Sequence, residues 1–517
     1  MKKQLNIWFQ GSNIKYKVLL SCFFILFLNI VSLGQKQPLS SQNSHAVPGF
    51  LDRGIMYQIW MPTFTKEGTL KAVTARLPYI ADLGANIVYL SPLNLHNHPY
   101  SIIDFDVINP RYGTEADLRA LALEAHRLGL KVIMDIVFAY TDPNDCVLLK
   151  RPGFHLRTPD GKLIMMPRWD CPRLDYTNPE VRKYFLGKMM HWIKNEGIDG
   201  FRCDMADFVP VDFWEEARAE MDKVNRDVIM LAEADSPEQQ LKAIDISYNF
   251  QYYADLQSVL LNGESATRIR QGWEKYKASF PQGSRFLHSI DNHDRNRVDL
   301  VFGERATLAM TVLNFTLDGI PFIYNGNEIG DVTPASTSDS VSIRWNKGRP
   351  RRLELLSPQE RRQFYKGLIV MRKQEASLTS GDLIWVENSN PDGVVSFIRR
   401  IQTEKGTEEI LILINISNRQ TIVQVDVPAL NYINARDLLM DFPFASSLSL
   451  SLTATKPAAI LDIRNLNSIK VAEKADPDLP GTQQVTPLAL SDNKLICKLG
   501  AFGYIAVKRL QGYPLSR

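Results

Sequence analysis

The side chains best suited to chemistry in this sequence are acidic, and they gather at the ends of short apolar runs. Asp135 lies in KVIMDIV, Asp204 closes DGFRCD, Glu233 closes VIMLAE, and Asp294 follows RFLHSI. A carboxylate at an inward position is costly unless charge is wanted there. Singly, each could be a cap or an ion-pair partner; as a set, they point to nucleophilic and acid–base work. In GFRCDMADFVP, period-two alternation puts Arg202 and Asp204 on one face and Cys203 on the other. Arg202 is then expected to hold Asp204 ionised with a depressed pKa, as a nucleophile requires. Cys203 faces away as an inert core thiol. Glu233 ends an apolar strand, and a carboxyl against apolar walls stays protonated, which suits a general acid. In HSIDNHD, His293 and Asp294 can grip vicinal sugar hydroxyls, although a His–Asp pair is also a common structural hydrogen bond.

Positioning such a set takes several strands that end in one place. Candidate strands are 55–60, 86–91, 131–137, 199–204, 228–233, 244–249, 285–290 and 320–325, most of them separated by amphipathic helical stretches. Two of these helices are well bounded: Thr114 and Asn178 can cap, Pro179 fits a first turn, and Gly129 and Gly197 close them. Eight such units fit a closed parallel (β/α)8 TIM barrel better than an open doubly wound sheet. No glycine-rich phosphate loop follows the first strand, which weakens the open sheet further. The connection 138–177 is too long for an ordinary loop and reads as a small inserted subdomain over the barrel's active face. Beyond about residue 380, GVVSFIRR, EEILILINIS, TIVQVDVP and LGAFGYIAVKRL alternate as strands of a C-terminal antiparallel β-sandwich. The expected domains are therefore a barrel over 53–380 and a sandwich over 381–517.

GFRCD, the Glu of LAEAD, and NHD, in this order, resemble the characteristic regions of the α-amylase superfamily, the family-13 glycoside hydrolases. YQIW, GANIVYLSPL, GIPFIYNGNE and HPYSIIDFDVINPRYGTEADLRALALEAHRLGLKVIMD fit the same pattern, so the likeness spans roughly 53–375. The resemblance implies a retaining double displacement in which Asp204 attacks the anomeric carbon. Glu233 would protonate the leaving oxygen and later activate water. Asp294 would bind sugar hydroxyls and favour the distorted ring. The implied substrate-binding set is Arg202, His293, Tyr100, Asp135 and Tyr140, with Tyr100 stacking on the −1 sugar. Trp60, Trp169 and Trp345 could be sugar platforms, but packed core residues are the favoured reading.

The sequence departs from the family in its first region, which reads DIVFAY. Ala139 stands where an Asn often ligates calcium, and Tyr140 replaces a His that bonds the −1 sugar. Alanine offers no side-chain oxygen, so no required metal or other cofactor is expected, Ca²⁺ included. Tyr140 retains a hydroxyl that can donate one hydrogen bond. The Lys-His pair that some α-amylases carry after the nucleophile is absent from MADF.

At 517 residues and a formal charge of +3, the chain allows two or three domains and carries no field that would draw nucleic acid. A neutral α-glucan or malto-oligosaccharide suits it as partner. Lys2, Lys3, Lys15 and Lys17 precede an apolar run from Val18 to Leu33, with small Ser32 and Gly34 at a cleavage site. Residues 1–34 thus read as a signal peptide and 35–52 as a linker, giving a periplasmic or secreted protein with no stable membrane insertion afterwards. A retained single anchor is the alternative. Cys146 and Cys171 could pair, and no Cys/His cluster suggests zinc. The expected activity is hydrolysis of α-1,4-glucosidic bonds. The alternatives are glucosyl transfer or isomerisation by the same carboxylates, or a non-catalytic glycan-binding protein with a decayed site.

Overall fold

Eight β-branched and aromatic runs form a closed barrel in the computed structural model, which describes residues 37–336, 341–345, 356–426, 435–437, 487–491, 494–499 and 501–509. The barrel strands are β1 (Met56–Ile59), β2 (Ile87–Leu90), β5 (Lys131–Val137), β6 (Gly200–Asp204), β7 (Ile229–Ala232), β8 (Ile246–Tyr248), β9 (Arg285–His288) and β10 (Ile320–Tyr324). All neighbours pair in parallel, and β10 closes on β1. Each matches a run picked out from the sequence. Alternation sorts the side chains: Ile133, Leu231, Ile246 and Phe322 fill the barrel, while Val132, Phe201, Cys203 and Ile323 pack against the helices. Cys203 is therefore the core thiol its register required.

The helices begin and end where local chemistry says they should. Thr114 caps α1 (Glu115–Arg127) by accepting the Asp117 N–H in a reciprocal capping box. Asn178 caps α2 (Pro179–Glu196), which stops at Gly197 in the left-handed region (φ 75°).

Three features differ from the sequence reading. Between β2 and α1 lies an antiparallel hairpin, β3 (Asn94–His98) with β4 (Ser101–Ile108), whose bulged register hides its alternation. The stretch 138–177 builds no sheet or long helix. One turn of 3-10 helix (Val147–Lys150) and isolated bridges such as His155 to Leu174 and Met165 to Pro172 hold it. Asp142 pins it to the hairpin, accepting from Ser101 Oγ at 2.7 Å. The supposed linker is part of the barrel floor from residue 37 on. Ser44 N–H bonds Gln282 O at 2.8 Å, His45 N–H bonds Gln240 O at 3.0 Å, and Leu51 plugs the barrel's lower end. Residues 1–36, including the signal-peptide candidate, lie outside the described residues.

Two antiparallel sheets follow the barrel. One joins β11 (Asp382–Trp385), β12 (Val394–Thr403), β13 (Gly406–Asn415), β18 (Tyr504–Arg509) and β15 (Ala435–Asp437). The other joins β14 (Thr421–Asp426), β17 (Lys494–Leu499) and β16 (Pro487–Ser491). Val394, Leu411, Leu413, Val423, Val425 and Leu499 pack between them as a sandwich core. Val395, Phe397 and Ile412 on the other face share a continuous core with the barrel helices.

Gly200 sits where β6 and β7 run closest, and a Cβ there would lie 2.0 Å from Ile229 O. These two strands deliver Asp204 and Glu233. Gly200→Ala is expected to cost about 3 kcal/mol or more through backbone displacement. Thermal denaturation checks this: a melting temperature equal to wild type would contradict the close approach.

Candidate active site

Strands β5, β6 and β7 are adjacent, and each brings one carboxylate to the same guanidinium. The register pairs Asp135 with Arg202 and Val137 with Asp204, while Cys203 pairs with Ala232, one residue before Glu233. Arg202 is fully buried. Its Nη1 contacts Asp135 Oδ1 at 2.9 Å and Asp204 Oδ1 at 2.6 Å, and its Nη2 contacts Glu233 Oε2 at 3.0 Å. Burial works against the guanidinium's charge, but Asp135 and Glu233 outweigh it and keep Arg202 protonated.

The electrostatics of Asp204 differ from the sequence expectation. Burial pushes its carboxyl well above the ordinary range; Arg202 pulls it back, and Glu233 and Asp135 push it up again. Arg202 fails to depress it because burial outweighs the guanidinium's pull, and the two neighbouring carboxylates add to the rise. Asp204 Oδ2 is off the guanidinium, and the Tyr140 hydroxyl is the donor within reach of this carboxylate.

Glu233 also sits differently from expectation. Instead of apolar walls it meets Arg202, and it accepts the Met205 N–H at 3.0 Å. Met205, the residue after Asp204, holds a left-handed φ of 46°. That conformation is strained for a side-chain-bearing residue. It turns the N–H at the end of β6 onto the Glu233 carboxylate of the neighbouring strand.

A second network leads from Asp135 to His293. Asp135 Oδ2 accepts from Tyr89 Oη at 2.8 Å and from Tyr100 Oη at 2.7 Å. Tyr100 Oη lies 2.6 Å from His293 Nε2, and Gln58 Nε2 lies 2.8 Å from His293 Nδ1. Gln58 can only donate through its amide nitrogen, so Nδ1 accepts and the ring proton is on Nε2. The chain of donors runs Gln58 to His293 to Tyr100 to Asp135. Burial first and Arg202 second lower the His293 pKa to about 3. Trp60, only 4% exposed, stacks on the His293 ring at 4.9 Å. Asp294 stands at the mouth with a side chain 53% exposed, and its Oδ1 is 3.3 Å from His293 Nε2. It is joined to the cluster through His293 and has no ion pair with Arg202.

Tyr140 closes the opposite wall. Burial first and the Asp204 charge second raise its phenol pKa, so it faces Asp204 as a protonated hydroxyl. Trp169 stacks on it at 6.4 Å, with interplanar angle 25°, and is 47% exposed. Of the three tryptophans, Trp169 thus departs from the favoured core reading. Trp60 is buried, and Trp345 packs edge-on against Phe64 and Tyr79 while donating to Phe64 O at 3.0 Å. Tyr100 contributes its hydroxyl to the network, and its ring lies 5.6 Å from the Arg202 Cζ. Cys146 and Cys171 are free thiols, not the pair the sequence allowed.

The site thus unites all eight residues picked out from the sequence and adds Gln58, Tyr89, Trp60 and the Met205 N–H. Polar residues at inward strand positions, as Gln58 in YQIW and Tyr89 in NIVYLS, were the available signal.

The family model for the alpha-amylase catalytic domain matches residues 39–145 and 166–352, more than half of the chain. The chain belongs to this family. The gap in the match falls inside the long connection after β5. Membership places the chain among the α-amylase-like glycoside hydrolases. Among curated relatives, "Alpha-amylase 2" of Dictyoglomus thermophilum is 26% identical over 433 residues, covering 76% of this chain and 74% of that protein. The "Intracellular maltogenic amylase" of Bacillus subtilis is 28% identical over 408 residues, 72% of this chain but only 64% of that protein. A solved noncanonic maltogenic alpha-amylase from Thermotoga neapolitana superposes with a TM-score of 0.71. It is 20% identical and covers 89% of this chain and 100% of its own, which shows the shared fold.

The donor chain makes a direct prediction for His293. Its imidazole is expected to stay neutral and Nε2-protonated at pH 5, which ¹⁵N spectra of the ring nitrogens report. A doubly protonated ring at that pH would contradict the network.

Proposed function

We propose that the protein is a retaining hydrolase of α-1,4-glucosidic bonds in α-glucans or malto-oligosaccharides. The observation that carries this reading is the shared guanidinium. Arg202 holds one oxygen each of Asp204 and Glu233 on adjacent strands, while Asp204 Oδ2 is left off the guanidinium. A nucleophile needs a free, correctly aimed oxygen, and an acid must stand close beside it.

In the proposed sequence Asp204 Oδ2 attacks the anomeric carbon while Glu233, as general acid, gives its proton to the departing oxygen. Glu233 then draws a proton from water, whose attack releases the sugar and frees Asp204. Arg202 fixes both carboxylates throughout. Asp294 and His293 bind sugar hydroxyls at the mouth, and His293 does so by exchanging its contacts to Tyr100 or Gln58. Tyr140 supplies a hydroxyl against the nucleophile, where the family has a histidine. The intact carboxylate set argues against a decayed, binding-only site.

Transfer to a sugar acceptor is the second reading. The half-exposed ring of Trp169, stacked on Tyr140 beside Asp204, supports it, because an aromatic face at the mouth can seat an acceptor sugar. Water and a sugar hydroxyl would compete for the same glycosyl-enzyme.

No metal is required in this proposal. Position 139 offers a methyl group, and the Ala139 carbonyl is engaged by Leu174 N–H at 3.0 Å. Among the described residues, the one group of side chains spaced to hold an ion is Glu115, His191 and Glu196, on the outer helices. We also propose export through residues 1–34, on the basic start and the apolar run that follows. No helix among the described residues is long and apolar enough to cross a membrane. N-terminal sequencing of exported protein would find a start after Gly34.

Maltoheptaose turnover followed by proton NMR tests the chemistry. The first product is expected as the α-anomer, and Asp204→Asn is expected to lose at least about 10⁴-fold in kcat with the fold intact. A β-anomer first, or a wild-type rate in the variant, would remove the mechanism. EDTA is expected to leave the rate unchanged; a loss restored only by Ca²⁺ would overturn the metal-free proposal.

A further inference from the structure

Two buried polar groups in this site are left over, and they belong to neighbouring residues. Arg202 commits Nη1 and Nη2 to the three carboxylates, but its Nε–H has no partner among the described residues. The hydroxyl of Tyr248 is likewise buried with no bond of good geometry, and the Arg202 side chain lies within hydrogen-bonding reach of it. Leaving either group unmet costs free energy, and each is what the other lacks, a donor and an acceptor.

Tyr248 is the last residue of β8 and points into the barrel beside Tyr89 and Leu231. Its position is fixed from outside: Tyr276 Oη donates to its carbonyl at 2.7 Å, and its ring leans on Phe250 at 5.5 Å. The ring centroid lies 5.6 Å from Arg202 Cζ, the same distance as that of Tyr100. Burial raises the phenol's pKa, so its proton stays on. Of the carboxylates acting on it, Glu233 acts more strongly than Asp135.

We propose that Tyr248 is a positioning residue for the general acid, its oxygen accepting the Arg202 Nε–H and its own proton presented to the Glu233 carboxylate. This rests on the reading of Glu233 given under the proposed function. The contact orients the guanidinium about its long axis, which decides whether Nη2 reaches Glu233 at all. It also stabilises Glu233 after the proton has gone to the leaving oxygen, because a hydrogen bond to the charged form favours it.

Tyr248→Phe removes the hydroxyl and keeps the ring. With maltoheptaose as substrate and the full chain as enzyme, the basic limb of kcat/KM against pH is expected to move up by about one unit. Without the donor, the acid keeps its proton to higher pH. The same change is expected to lower kcat about tenfold and to leave KM within about twofold. Tyr248→Leu removes the hydroxyl with different packing, and the same limb displacement is expected from whichever variant folds. A limb at the wild-type pH in a folded variant would overturn the proposal, whatever the change in kcat, because packing alone would then explain it. Glu233→Gln separates the two levels. Activity surviving in that variant would overturn the reading of Glu233 itself, whereas its loss beside an unmoved limb in Tyr248→Phe would overturn only the inference about Tyr248.

Discussion

One buried positive charge organises this molecule's chemistry. Arg202 lies inside the barrel with three carboxylates around it, drawn from three adjacent strands. Bringing such charges out of water costs several kcal/mol per ion, and only near-ideal geometry offsets it. The geometry is supplied by parallel pairing, which sets Glu233 level with Asp204 and Asp135 level with Arg202, two residues earlier on the same strand face. One guanidinium holds three acids while one oxygen of Asp204 stays off it, so the proposed nucleophile and the proposed acid are chemically similar groups in one small volume.

The rest of the site answers to that charge. A second cation near Arg202 would compete for the same carboxylates, and His293 is held neutral by burial and by Arg202 itself. Its neutrality lets Nδ1 accept from Gln58 while Nε2 donates toward Tyr100, so the ring is fixed at both ends. Trp60 beneath it and Tyr100 beside it complete a rigid aromatic layer. Asp294 is left as the exposed acid at the mouth, free to change partners when a sugar arrives.

Much of this was legible in the sequence, for reasons that differ by element. The eight barrel strands announced themselves because strands buried on both faces are apolar throughout and end at glycine, asparagine or acidic residues. The catalytic carboxylates stood out as charges in apolar surroundings. Gln58, Tyr89 and Tyr248 did not, since a single polar or amphipathic residue in an apolar run is common and its direction depends on register. The hairpin at 94–108 was hidden by bulges that interrupt its alternation, and 138–177 by having isolated bridges in place of elements. The floor segment read as a linker because its contacts are mostly backbone hydrogen bonds, to which composition is blind. The pKa of Asp204 was misjudged for a related reason. One arginine beside one aspartate predicts a depressed value, and only the fold reveals the depth of burial and the two further carboxylates that raise it.

The altered wall at Ala139 and Tyr140 has a consequence for how the site titrates. A histidine facing the nucleophile adds a group that changes charge near neutral pH. A phenol buried beside Asp204, its pKa raised by burial and by that charge, cannot lose its proton under working conditions. Tyr140 therefore offers the nucleophile's side of the site a permanent donor with no second protonation state. With His293 neutral as well and Arg202 charged, neither neighbour changes charge near neutral pH. In the proposed double displacement, a phenol where the family has an imidazole would leave Asp204 beside a donor whose charge is fixed.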